Sequence, residues 1–375
     1  MSFRASHDVP GPALAFAADS RTESDVELED NGAQGPVLER YAMGCAALGR
    51  RGWLKTARCT LFEHHEKLLH MPYRVRRDVM AERREAFLLW LGAVRPKACM
   101  ILQTLSRSYE DTDLTGTEAW AAIGGPGTLS EAAGTIWKGP YGIQFVPILN
   151  YQQYDYAVRY YIARAMKLAA AVAVDKAAPV LCGHKVTEPN EFCMRLLEGY
   201  ATQPLISFDL ETIPSLGHIT AFNLSDGQSS ISVPWHRYNV YPLGEQKALK
   251  SYPLGQAVET AIRDIMRNPR IAKLGHNAAG YDLLELEGQG IEFSGEVVDT
   301  LLKHRVLHPH SRHGLQVACA TMFPVRPWKS IYKPVNKPKH SDEYWTASPA
   351  ALRDYGADDA YYTYILNNLL DKQVI

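Results

Sequence analysis

Leu205-Ile206-Ser207-Phe208-Asp209-Leu210-Glu211-Thr212, bounded by Pro204 and Pro214, has the composition of a buried strand: apolar, β-prone and cut off at both ends. Period two puts Asp209 and Glu211 on one face of that strand and Phe208 and Leu210 on the other. Two carboxylates side by side at a strand end repel each other and raise each other's pKa unless a cation sits between them. Taken alone, the stretch fits either a strand running out into solvent with two surface acids or a pair of metal ligands.

Two later stretches bear on that choice. Ile271-Ala272-Lys273-Leu274-Gly275-His276-Asn277-Ala278-Ala279-Gly280-Tyr281-Asp282 reads as a strand, a tight Gly/Asn turn and a helix start. Asp282 would sit in the first helical turn, where a carboxylate is favoured by the positive dipole end. Leu352-Arg353-Asp354-Tyr355-Gly356-Ala357-Asp358-Asp359-Ala360 opens the last helix, with Tyr355 and Asp359 four apart and so on one face.

The order Asp-x-Glu, Asn-x3-Tyr-Asp, Tyr-x3-Asp resembles the three exonuclease motifs of the DnaQ-like superfamily, in its DEDDy branch of polymerase proofreading domains and ribonuclease D. The resemblance covers roughly residues 182–375 and implies a ribonuclease H-like mixed sheet with 3′→5′ exonuclease activity. It further implies that Asp209, Glu211, Asp282 and Asp359 hold two divalent cations, with Asp209 bridging both and Asp282 facing the second. All-oxygen ligands suit Mg²⁺ or Mn²⁺. Tyr355 would orient the attacking water, its phenol being too weak an acid to serve as a ready base. Glu211 would contact the terminal 3′-hydroxyl, and Leu210, Asn277, His313, Lys329 and Tyr332 are the candidate substrate contacts. Asp358 is the competing register for Asp359, and the Tyr-x3-Asp spacing selects Asp359, with Asp358 about 100° away around the helix.

The whole chain, 375 residues and 46% hydrophobic, has room for two domains. Its formal charge of −1 requires any nucleic-acid affinity to come from local patches. It has neither a long apolar run nor a signal pattern, so the expectation is a cytoplasmic protein, of a bacterial or phage-infected cell, with no membrane partner. The six cysteines form no CxxC pair and read as reduced thiols.

Three segments follow from composition. Residues 1–37 are small, polar and acidic, and read as a disordered tail. Residues 38–175 alternate helices and strands and read as a smaller α/β domain. Within it, Val37 to Leu48 suggests a helix, a second carries Asp78 as its N-cap, and Lys97–Gln103 and Gly142–Leu149 suggest strands. Arg95-Pro96-Lys97-Ala98-Cys99-Met100-Ile101 and Phe145-Val146-Pro147-Ile148-Leu149-Asn150 resemble two strands of the uracil-DNA glycosylase superfamily. The water-activating loop is missing, and Asn150-Tyr151-Gln152 replaces the His loop, so that resemblance implies a degenerate domain. Arg50 to Arg84 mixes basic and aromatic residues, which suits either a phosphate backbone or an ordinary solvated surface. His65 and His70 are five apart and cannot share one metal on a helix face.

Residues 176–375 are expected to hold the exonuclease domain. His184–Val186 reads as an edge strand, Thr187 as a helix start, and Gly217–Leu224 with Ser229–Pro234 as an antiparallel pair. Asp299 reads as a helix cap, and His304, His308, His310 and His313 as a loop over substrate or a zinc cluster. Phe323 to Tyr344, basic, aromatic and Pro-rich, suits a grip on single-stranded DNA or a docking site. The wording of the third motif is similar to that of family A polymerases. The expected partners are therefore single-stranded DNA or a frayed 3′ end, and a separate DNA polymerase subunit that docks to keep the end at high effective concentration.

Overall fold

A computed structural model of the protein describes residues 4–5, 14–18, 56–60, 72–102, 116–149, 156–213, 218–240, 244–329 and 349–374. The chain divides into two units, Met1–Val180 with Phe323–Ser330, and Leu181–Met322 with Ile331–Ile375.

The first unit contains strands β1 (Arg4–Ala5), β2 (Leu14–Ala18), β3 (Thr56–Thr60), β4 (Ala98–Leu102), β5 (Trp137–Lys138) and β6 (Gln144–Ile148). They form one sheet in the order β1-β3-β2-β4-β6-β5. The inner four run parallel, while β1 and β5 are antiparallel at the edges. Helices α1 (Tyr73–Val94), α2 (Gly116–Ala122) and α3 (Tyr156–Ala173) cover it. The alternation along β4 shows how. Cys99 and Ile101 pack with Phe87, Trp90 and Leu91 of α1, and Ala98 and Met100 pack with Ile162, Met166 and Ala169 of α3. A parallel strand buried on both faces reads as an unbroken apolar run, as Ala98–Leu102 does.

Several expectations are corrected here. Leu14–Ala18 lies within the segment read as a disordered tail, yet it forms a strand between β3 and β4. Its Leu-Ala-Phe-Ala-Ala run is small and apolar enough for a central position, and the surrounding acids obscured it. The helix expected to start at Asp78 starts at Tyr73, behind Pro72, which leaves Asp78 inside it beside Arg77. Phe323–Ser330, expected in the exonuclease half, belongs to this unit: Ile136 N–H donates to Val325 O at 2.8 Å, and Val180 N–H to Pro324 O at 2.9 Å. The expected helix Val37–Leu48, the His65/His70 pair, Asn150-Tyr151-Gln152, residues 331–344 and, within the basic Arg50–Arg84 stretch, residues 50–55 and 61–71 lie outside the described residues.

The second unit runs β7 (His184–Val186), α4 (Glu191–Tyr200), β8 (Leu205–Ile213), β9 (His218–Ser225), β10 (Ser229–Pro234), β11 (Tyr238–Val240), β12 (Gly244–Gln246), α5 (Gly255–Arg267) and β13 (Ala272–Gly275). Then follow α6 (Asp282–Gly288), β14 (Val297–Asp299), α7 (Thr300–Leu307), α8 (Leu315–Met322) and the long α9 (Pro349–Val374). Helix α4 begins three residues later than the Thr187 signal implies, because Asn190 caps it by accepting from Cys193 N–H at 2.9 Å.

Six strands form a mixed sheet in the order β14-β13-β8-β9-β10-β7. Strands β8, β13 and β14 are parallel, and β9 runs against both β8 and β10. This is the ribonuclease H-like arrangement, preceded by the smaller α/β unit. One face of the sheet is apolar: Phe208, Leu210, Phe222, Leu224, Ile231 and Val233 pack with Leu197 and Tyr200 of α4 and Val258 and Ile262 of α5. The other face carries Ser207, Asp209, Glu211, Asn223, Ser225 and Ser230, and α9 packs across it. Small serines let the helix come close. Ser207 Oγ donates to Ala360 O and Ser230 Oγ to Ala357 O, both at 2.7 Å. Lys273, 1% exposed, is a buried clip whose Nζ donates to the carbonyls of Asn268, Ile271 and Ser294 at 2.5–2.8 Å.

Candidate active site

The site lies where the end of β8 meets α9. Asp209 and Glu211 share the α9 face of β8 because a strand alternates, and they pair with Asn223 and Ala221 of β9. A register shift between Glu211 and Thr212 follows at once. Asp359 comes from the buried side of α9. Carboxylate oxygens of Asp209, Glu211 and Asp359 all lie within 4.8 Å of one another. Glu211 and Asp359 are 5% and 2% exposed. Three carboxylates this close and this buried repel one another, and their hard oxygen donors fit a divalent cation.

Asp282 opens α6 as the spacing predicts, and it is 6% exposed. One of its oxygens, Oδ1, accepts from the backbone N–H of Leu210 at 3.1 Å, which brings the second motif against the first. The oxygens that cluster tightly are those of Asp209, Glu211 and Asp359. The turn before it needs a left-handed residue, which Asn277 supplies at φ 69°. A hydrogen bond between the Thr212 and Tyr281 hydroxyls joins the two motifs a second time.

Tyr355 stands one turn before Asp359 and shares a hydrogen bond with it. Burial first, and then the negative charges of Asp359, Glu211 and Asp209, push its phenol well above the ordinary tyrosine value. The hydroxyl therefore keeps its proton at neutral pH.

The neighbouring Asp358 has a separate role. It is 1% exposed and pairs with Lys185 Nζ of β7 at 2.7 Å, and the same ammonium holds Asp354 at 3.0 Å. Arg353 adds Nε–H to Thr187 O at 2.8 Å and a bond to Gln246 Oε1 at 3.1 Å. These contacts fasten the start of α9 to the edge of the sheet, which fixes which helix face meets Asp209.

The expected substrate contacts fare unevenly. Leu210 is corrected: its side chain, 5% exposed, belongs to the apolar core, and only its backbone N–H serves the site. Asn277, which opens the second motif, is exposed, its backbone N–H held by Asp299 at 3.0 Å. Asp299 also accepts from Leu301 N–H at 2.8 Å and Leu302 N–H at 3.4 Å, so it caps α7. His313 turns its ring to the buried His304, Nδ1 to Nδ1 at 2.9 Å, and its carbonyl accepts from His276 Nε2 at 2.8 Å. Lys329 falls in the first unit, and Tyr332 lies outside the described residues. No motif pointed to Asn223, whose Nδ2 donates to Asp209 Oδ2 at 3.0 Å. Only its position across the ladder from Asp209 marks it, and that register is invisible before the strands are paired.

A ribonuclease H-like sheet with a buried carboxylate cluster and a tyrosine at its edge defines a metal-dependent nuclease. The family model for the DNA polymerase A 3′-5′ exonuclease matches residues 184–375, just over half of the chain, and the chain belongs to this family. No curated protein matches it. Among solved structures, Brucella melitensis NrnC is 18% identical, with a TM-score of 0.36, covering 51% of this chain and 82% of its own. Escherichia coli RNase D, an exoribonuclease involved in structured RNA processing, is 16% identical with a TM-score of 0.32, covering 52% and 45%. The Aedes aegypti Nibbler EXO domain is 14% identical with a TM-score of 0.34, covering 53% and 93%. The chain is a 3′-5′ exonuclease, and that domain implies divalent-metal catalysis. Among the described residues, no helix is long and apolar enough to cross a membrane.

Proposed function

We propose that the second unit hydrolyses DNA from its 3′ end, acting on single strands or frayed ends in proofreading or end trimming, with Mg²⁺ or Mn²⁺ as cofactor. The observation that carries this reading is the convergence of Asp209, Glu211 and Asp359 within 4.8 Å, with Tyr355 bonded to Asp359. The family's DNA polymerase A name favours DNA as the substrate. A separate polymerase subunit that hands over the frayed end is part of the proposal.

Bound divalent cations would supply the positive charge that makes the attacking water more acidic and stabilises the leaving oxyanion. Asp209, Glu211 and Asp359 would hold them, with Asp282 brought against the first motif by its bond from Leu210 N–H, and the cations would offset the repulsion among the crowded carboxylates. Tyr355, still protonated, positions the water through its hydroxyl and takes no proton from it. Glu211 contacts the terminal 3′-hydroxyl, which selects an end over an internal bond.

Degradation of 3′-labelled single-stranded DNA and of the same sequence as RNA, each with Mg²⁺, Mn²⁺ or a chelator, tests this. Release of single nucleotides from DNA, stopped by the chelator, is the expected result. Preferential release from RNA would replace the DNA reading with that of an RNA 3′-exonuclease. Activity that survives the chelator would overturn the metal site. Co-elution with a polymerase from the same source in size exclusion tests the partner, and trimming that is equal with and without it would remove that part.

A further inference from the structure

Asn223 lies on β9 opposite Asp209 and has no accessible surface. Its Nδ2 donates to Asp209 Oδ2 at 3.0 Å, while its Oδ1 has no hydrogen-bond partner among the described residues. Leaving a buried amide oxygen unpaired is unfavourable. Two serines on this face avoid that penalty, Ser207 and Ser230 using their hydroxyls on α9 carbonyls, whereas Ser232 Oγ, across the ladder from Asn223, is likewise without a hydrogen-bond partner among the described residues. A serine at 223 would pack as Ser207 and Ser230 do, but it would not span to Asp209.

The facing helix is shaped around this amide. A Cβ added to Gly356 would stand 2.4 Å from Asn223 Nδ2, 2.6 Å from Cγ and 2.6 Å from Oδ1. Those near-equal distances mean that the missing methyl would point at the middle of the amide plane. Glycine weakens a helix interior relative to alanine, so its place one residue after Tyr355 calls for a local reason. The reason is room for the Asn223 side chain.

We propose that Asn223 is a positioning residue for the metal centre: it ties down the Asp209 carboxylate through Oδ2 and relies on Gly356 for the space to do so. The inference rests on the metal-dependent reading given above. Outer partners of metal ligands act by orienting the ligand, and their loss weakens metal binding about 10- to 100-fold.

The test measures Mn²⁺ binding to the full chain by calorimetry and electron paramagnetic resonance, with the thermal midpoint of the metal-free protein recorded alongside. Asn223→Ala should raise the Mn²⁺ dissociation constant about 10-fold or more while the metal-free midpoint stays put. Asn223→Ser, small and polar, should behave the same way and stands in if the alanine variant folds poorly. Gly356→Ala should weaken binding similarly, since its Cβ must push the amide off Asp209. In the Asn223→Ala background the same change should have no further effect. Mn²⁺ affinity unchanged in both Asn223 variants, beside an Asp209→Ala control that has lost binding, would overturn the positioning role alone. An Asp209→Ala chain that binds Mn²⁺ like the unaltered protein would overturn the metal site and this inference together.

Discussion

Asp358 and Asp359 are adjacent, both buried and identical in chemistry, and the structure assigns them opposite roles. Asp359 shares the carboxylate cluster, whereas Asp358 neutralises Lys185 at 2.7 Å. Asp359→Asn removes one of three crowded negative charges, so the metal-free protein should be at least as stable as before. Its rate should fall by roughly 10²–10³-fold, the equivalent of about 3–4 kcal/mol of lost charge stabilisation in the transition state. Lys185→Met does the reverse. It strands Asp358, only 1% exposed, without its cation, and breaking a buried pair in this way costs about 3–5 kcal/mol. At about 2–4 °C per kcal/mol for a unit of this size, the thermal midpoint should drop by roughly 6–20 °C. Lysine at 185 keeps 17% of its side chain exposed and retains Asp354, so Asp358→Asn should destabilise less, by about 1–3 kcal/mol. The double variant Lys185→Met/Asp358→Asn should recover part of the loss of Lys185→Met, because the stranded charge is gone. Thermal melts and single-turnover release from 3′-labelled DNA measure both quantities on the same samples. A folded Asp358→Asn protein as inactive as Asp359→Asn would refute the assignment, and so would a Lys185→Met protein that melts where the unaltered chain does.

Two further outcomes are expected. Tyr355→Phe should slow hydrolysis about 10²-fold, as for a misplaced reactant, while Mn²⁺ affinity holds; equal loss of both would make Tyr355 part of the metal site. Burial, with the nearby His308, His313 and His276, lowers the His304 pKa to about 4. Below the ordinary histidine value the unfolded chain takes up a proton that the folded chain refuses, so stability falls as pH drops from about 6.5 toward 4, by roughly 2 kcal/mol between pH 7 and 5. Denaturant midpoints at those two pH values should show this, and His304→Phe should flatten it; an equal slope in that variant would remove His304 as the cause.

Local periodicity made much of the nuclease legible in the sequence. Asp209 and Glu211 fall on one strand face and Tyr355 and Asp359 on one helix face because the periods of 2 and 3.6 are properties of the backbone itself. Asp282 at a helix start and Asp299 as a cap follow from equally short-range rules. The reading failed where the deciding partner lies far along the chain. Leu14–Ala18 becomes a strand only between β3 and β4, and Phe323–Ser330 joins the first unit through Ile136 and Val180. Leu210 fell to the core and not to the substrate because a strand residue beside two clustered acids can face either, and α4 and α5 make it core. The polar face of the sheet would pass for a solvent face in sequence, yet α9 buries it, and that burial gives Asn223 its contact with Asp209 and Gly356 its purpose. The sequence alone determined which residue types share a face. Which faces meet was settled by strand register and helix docking, through contacts between residues more than a hundred positions apart, such as Lys185 with Asp358.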